Sequence, residues 1–363
     1  MNAVLRCSLL TVLLAHAGTP GEGGNGGSAP GDNRAELMVS RDRIETDAGY
    51  PVTAILSRPR GSGSTRLAAV MIVGWLSCDA IDGTLPGPDT FNHLIYDVAR
   101  ESGMLVFRVE KPGVDGSPGP PCSDNDFSRD LAAYQAGLRS LAKRPDVDPS
   151  RIYLLGMSNG GGVAPLVAGG LQVAGYVVSG GWAKTWLEHM LELERRRMAL
   201  AGRTPGQVSE AMKGFADFYS LYLNGHLTPR QVEARRPDLK GLWYDEPTRQ
   251  YGRPAKYFHQ LQALNLAEVW QAVKVPVLAV HGEHDWIMSQ ADHEMIVDLV
   301  NRNRPGLAQF VSVPRMDHFY RLHDTPQAAF RGEPGEYAEV AASTIVAWLR
   351  AQPQCQPADD AQR

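Results

Sequence analysis

Three side chains far apart in the chain have the types needed to activate a hydroxyl: Ser158, Asp285 and His318. A serine is a poor nucleophile at its own pKa and needs a base within hydrogen-bond reach. An imidazole base in turn needs an acceptor on its far side, which fixes its tautomer and steadies the imidazolium. Ser158 lies in Gly156-Met157-Ser158-Asn159-Gly160, and no other serine in the chain sits in a G-x-S-x-G pattern. Asp285 closes the run His281-Gly282-Glu283-His284-Asp285, and His318 lies in Met316-Asp317-His318-Phe319. Together they would support nucleophilic attack by the serine, with proton transfer through the histidine.

Other groups compete for these roles. Asp317 adjoins His318, but sequence neighbours rarely point at each other, so Asp285 is the preferred acid. His281 and His284 flank Asp285, and His323 is an alternative base. His281, His284, Asp285 and His293 have a spacing that fits no common zinc pattern, so no metal is expected.

The flanking sequence must place these residues at one rim. Residues 152–155 form an apolar run of the kind that makes a central strand, and small apolar residues at helical spacing follow Gly160. A strand turning sharply into a helix strains the residue at its tip and requires glycines where neighbouring strands approach. It also sets Ser158 at a helix N-terminus, where free N–H groups can stabilise an anion. Upstream, the pattern predicts an antiparallel pair over 35–45 and 52–58, then buried strands over 67–73 and 104–109 and helices over 90–102 and 126–142. A short strand over 176–178 follows. Strand and helix alternate throughout, which implies an α/β fold with a mostly parallel sheet covered on both faces.

The alternation stops at 182–266, a stretch rich in aromatic and charged residues with no strand signal. Helices are expected over 187–200 and 209–224, making a helical cap over the strand ends. Strands resume at 275–280 and end at 308–313, with helices over 291–303 and 337–351. The domain reading is a core of 35–181 and 267–351, a cap of 182–266 and a polar tail of 352–363. Ligands of open parallel sheets bind beyond the carboxyl ends of the strands. The turn over 74–77, Ser158, Asp285 and His318 all fall there.

The N-terminus reads as a targeting segment. Arg6, an apolar run over 9–14 and Ala15-His16-Ala17 give a signal peptide of 1–17 and export to the periplasm or the cell exterior. A disordered Gly-, Pro- and Ser-rich leader over 18–34 follows. Cys7 precedes most of the apolar run, which argues against a lipid anchor, and no later stretch is long enough to span a bilayer. Cys78 and Cys122 each lie on a loop that follows a strand, so both should lie above the same sheet edge and pair; Cys355 in the tail is left over. With 43% apolar and 21% charged residues the chain is globular, and a net charge of −4 gives no reason to expect nucleic acid or an anionic membrane as partner.

The strand–G-x-S-x-G–helix unit, the strand-end HGEHD and the MDHF loop, in that order, resemble those of the α/β-hydrolases over about residues 35–351. The resemblance implies Ser158 as nucleophile, Asp285 as acid and His318 as base. The backbone N–H groups of Asn159 and Trp75 would form the oxyanion hole, with Leu76 as the alternative to Trp75. Many members carry His-Gly before the first oxyanion residue, where this chain has Val73-Gly74. The segment over 110–117 resembles an architectural loop of the family and gives Asp115 no catalytic role. Leu76, Met157, Trp182 and Trp286 are the positions expected to line a pocket for a small-molecule or peptide acyl substrate. The implied activity is hydrolysis of carboxylic esters or thioesters, which needs no cofactor. Alternatives are an exo-acting peptidase, with Glu188, Glu192 or Glu194 holding a peptide amino terminus, an acyltransferase, and a non-catalytic binding protein on the same scaffold.

Overall fold

The computed structural model describes residues 37–352, apart from 48, 63–65 and 303. The expected signal peptide and leader, and the tail from residue 353 on with Cys355, lie outside the described residues.

The chain opens with β1 (Leu37–Ile44) and β2 (Val52–Pro59), paired antiparallel. Then come β3 (Leu67–Val73), α1 (Thr90–Glu101), β4 (Leu105–Val109), α2 (Phe127–Ala142), β5 (Val147–Met157), α3 (Asn159–Ala168) and β6 (Gly175–Ser179). β4 and β6 are buried along their whole length and β3 along nearly all of it, which is why they read as unbroken apolar runs. Their helices begin where side chains satisfy free backbone N–H groups: Asp89 accepts from the Phe91 N–H and Asp126 from that of Arg129. Phe91, Leu94, Ile95 and Val98 of α1 face inward, as their spacing predicts.

After β6 the chain forms α4 (Trp186–Leu200), α5 (Pro205–Tyr219), α6 (Pro229–Arg235), β7 (Arg249–Gln250), β8 (Arg253–Pro254), α7 (Ala255–Gln262) and α8 (Leu266–Gln271). Capping boxes start the first three helices, from Thr185, Thr204 and Thr228. The second helix therefore begins at Pro205, four residues before the expected start. The stretch is also not free of strands. β7 and β8 form a two-residue hairpin whose turn, Tyr251-Gly252, has positive φ at both positions, +49° and +72°. A tyrosine at the first of these positions hides the turn from sequence.

The sheet resumes with β9 (Val277–Gly282), α9 (Gln290–Asn301) and β10 (Ala308–Val313). β9 starts beyond Pro276, because proline cannot donate to the ladder of a central strand. β10 is not the last strand: β11 (Arg321–Leu322), α10 (Pro326–Phe330) and β12 (Glu336–Tyr337) follow, with β11 and β12 paired, before α11 (Glu339–Ala351) closes the chain. The main sheet runs β1-β2-β4-β3-β5-β6-β9-β10, parallel from β4 onward. All the strands bearing candidate residues thus end at one edge. No described helix is long and apolar enough to cross a membrane.

Candidate active site

The elbow is built by close backbone approach. A Cβ on Gly160 would lie 2.0 Å from the Val73 carbonyl oxygen and 2.6 Å from that of Gly74, and one on Gly156 would lie 2.4 Å from the Gly160 oxygen. α3 can therefore lie against β3 and β5 only with glycine at these positions. Between them Ser158 has φ +55° and ψ −125°, a conformation costing an L-residue about 1–3 kcal/mol, held by its N–H donating to the Ser179 carbonyl.

Asp285 follows β9 in a turn where its Oδ1 accepts the N–H groups of Ile287 (2.9 Å) and Met288 (2.8 Å). That leaves Oδ2 for His318, whose Nδ1 donates to it at 2.8 Å. A carboxylate only accepts, so the neutral imidazole carries its proton on Nδ1 and its Nε2 is free to accept from the Ser158 hydroxyl at 2.9 Å. The His318 and Asp285 side chains are only 5% and 1% exposed, so little water competes for these bonds. Burial opposes charging both groups, yet their mutual attraction and hydrogen bonding prevail. His318 is raised above the usual histidine value and Asp285 lowered below the usual carboxylate value.

The loop carrying His318 is held by Asp317, whose Oδ1 accepts from the N–H groups of Phe319 and Arg321 and whose Oδ2 accepts from His323 Nε2 at 2.9 Å. Asp317 and His323 are thus occupied with each other, and neither side chain hydrogen-bonds to His318 or Ser158. His281 donates through Nε2 to the Met288 carbonyl. His293 accepts the Gly181 N–H and donates to the Ser289 carbonyl, with its pKa lowered to about 4 by burial. Both support the loops around Asp285 and Gly180. A Cβ on Gly180 would lie 3.2 Å from the His318 ring, so that loop packs directly on the imidazole.

On the other side of Ser158, the contact of Gly160 with Val73 and Gly74 brings the 74–76 loop to the elbow. Asn159 is the first residue of α3, and its N–H has no intrahelical acceptor. Neither the Trp75 N–H nor the Leu76 N–H has a hydrogen-bond acceptor among the described residues, so both expected donors of this loop are unpaired.

No family model matches the sequence. Over 237 residues the chain is 25% identical to Esterase EstD of Thermotoga maritima, covering 65% of this chain and 50% of that one. The chain thus spans about half the length of the curated relative it matches. Among solved structures it is similar to Est1E from Butyrivibrio proteoclasticus, described with ferulic acid bound (16% identity, 86% of this chain and 98% of the other, TM-score 0.56). It also resembles a Pyrococcus furiosus esterase (11% identity, 90% and 95%, TM-score 0.52) and a Pyrobaculum calidifontis esterase (19% identity, 87% of each, TM-score 0.51). The chain has the α/β-hydrolase fold.

The other expected positions fall in different environments. Cys78 and Cys122 form a disulfide with Cα atoms 5.8 Å apart. The Trp75 ring is buried between Phe91, 4.8 Å away, and the Lys111 ammonium, 5.4 Å away. Leu76 and Trp286 are half-buried, the latter edge-on to Phe330. Met157 and Trp182 expose no surface: Trp182 is packed on Gly162 and donates to Asn159 Oδ1, so both positions are packing and have no face to offer a substrate. Asp115 pairs with Arg41 at the periphery. Sequence reasoning gave no part in the site to Tyr134, Tyr257 or Arg253, whose side chains surround the 74–78 loop and Asn159.

Proposed function

We propose that this α/β-hydrolase is an exported serine esterase acting on carboxylic esters or thioesters through an acyl-enzyme. The observation that carries this reading is the continuous hydrogen-bonded chain Asp285–His318–Ser158 at the strand ends, beside free N–H groups. In the first step Ser158 Oγ attacks the acyl carbon as its proton passes to His318 Nε2, and Asp285 stabilises the imidazolium. The Asn159 and Trp75 N–H groups receive the oxyanion, each contributing about 3 kcal/mol in the transition state. His318 then protonates the departing alcohol or thiol, and a water that gives its proton to His318 releases the acid. The Thermotoga relative, named an esterase, supports the same chemistry. The helices between β6 and β9 would act as the cap that shapes the substrate pocket. Export accords with a disulfide, which persists in oxidising compartments.

The peptidase reading loses its support. Glu188 closes the α4 capping box, Glu192 pairs with Lys184 and Arg196, and buried Glu194 pairs with Arg197 and two tyrosines. All three carboxylates are occupied within the inserted segment. Ser158→Ala tests the proposal. Turnover of p-nitrophenyl acetate and of an acyl thioester should fall by about 10⁴-fold or more with an unchanged circular-dichroism spectrum. Retained hydrolysis by the variant would refute it.

A further inference from the structure

Arg253 is one of the largest fully buried side chains of the chain, and it comes from the short hairpin inside the inserted helical segment. Every arm of its guanidinium is used, and each reaches a different piece of the hydrolase core. Nε donates to the Leu76 carbonyl at 2.9 Å, Nη1 to the Cys122 carbonyl at 2.9 Å, and Nη2 to Asp130 Oδ2 at 2.7 Å. Its Cζ lies 5.0 Å from the ring centre of Tyr257, whose hydroxyl accepts from the Asn159 side chain.

These contacts converge on the two backbone donors assigned above to the oxyanion. The loop bearing Trp75 is fixed on both sides of that residue. At Gly74 the N–H donates to the Tyr134 hydroxyl, at Leu76 the carbonyl is held by Arg253, and Cys78 is covalently tied to Cys122, whose carbonyl Arg253 also holds. Tyr134 and Asp130 lie one turn apart on α2, so one helix anchors both ends of the arrangement. With its two neighbours pinned, the Trp75 peptide has little freedom to rotate its N–H away from the elbow. Asn159 is held in parallel, through Tyr257 and through the Trp182 indole. A buried arginine is costly unless each of its donors is satisfied, and here each arm has a partner. A lysine in its place could reach Asp130 but has no planar fork with which to hold two carbonyls at once.

We infer that Arg253 is a positioning residue for the oxyanion hole, through which the inserted segment sets the direction of the Trp75 and Asn159 donors. The inference rests on the esterase reading and goes beyond it, because it places a determinant of the rate outside the residues that touch substrate. Hydrogen bonds to the oxyanion strengthen only as charge develops, so a loosened loop should lower kcat and leave KM nearly unchanged.

The test uses Arg253→Lys and Arg253→Gln in the full chain. Active sites are first titrated with a fluorophosphonate, so that kcat with p-nitrophenyl acetate is expressed per reactive serine. The expected result is a fall in kcat of about 10- to 100-fold, KM within about threefold of wild type, and weaker inhibition by an alkyl boronic acid in proportion to kcat/KM. A merely structural role would reduce the number of titratable sites and leave kcat per site unchanged. That result overturns the inference, as does failure of both variants to fold by circular dichroism, which would assign Arg253 to folding. The esterase reading fails separately, if the wild-type protein neither hydrolyses the ester nor takes the fluorophosphonate.

Discussion

Replacing Asp285 by Asn should lower kcat by about 10⁴-fold, or about 5 kcal/mol of transition-state stabilisation, with the fold retained. The geometry gives the reason. The Asn oxygen would keep the two N–H groups of Ile287 and Met288, which forces its NH₂ toward His318 Nδ1. The imidazole must then accept at Nδ1 and carry its proton on Nε2, facing Ser158, where it can no longer take the serine proton. Coulomb attraction is of matching size: opposite charges 2.8 Å apart at an effective dielectric of about 20 attract by about 6 kcal/mol before desolvation is counted. The variant should also shift the pH profile. The base is active only when neutral, so wild-type kcat/KM should fall as pH drops through a His318 pKa raised above 6.5. Without the carboxylate burial dominates, and the acid limb should move below 6.5. Ester hydrolysis measured from about pH 5 to about pH 9 reads both effects. A folded variant within about tenfold of wild-type kcat, with the acid limb unmoved, would refute the assignment of Asp285.

Two further changes probe the scaffold. Gly160→Ala would drive a methyl group to within 2.0 Å of the Val73 carbonyl oxygen, so stability should fall by about 3 kcal/mol and activity by about 100-fold or more; a variant that melts and turns over like wild type would show that α3 need not lie so close. Replacing both Cys78 and Cys122 by Ser opens a loop of sequence separation 44, which should cost about 4 kcal/mol in urea unfolding. An unchanged midpoint would remove the disulfide from the stability account.

The parts of this molecule legible in sequence are those with a local signature. β3 follows directly from an apolar run between turn residues, and Ser158 from glycines that only close backbone contact explains. Cys78 and Cys122 are legible because each lies on a loop leaving the carboxyl end of a strand, and those strands, β3 and β4, are parallel neighbours. What escapes is short or depends on distant contacts. The β7–β8 hairpin is too brief for any period and hides its turn behind Tyr251, while α5 begins at a capping threonine outside the apolar repeat. Arg253 carries no local signal at all. Its partners Leu76, Cys122 and Asp130 lie 177, 131 and 123 residues away, so only the folded chain brings them together. The same holds for pocket positions: Met157 and Trp182 are attractive by type, but packing against the sheet and α3 leaves them no exposed face.

The central claim is that one serine hydroxyl is made nucleophilic by the histidine and carboxylate behind it. Treating the purified protein with a fluorophosphonate and measuring its intact mass, followed by peptide mapping, tests that claim directly. A single adduct on Ser158, absent from Ser158→Ala, is expected; no adduct, or one on a different residue, would contradict that claim.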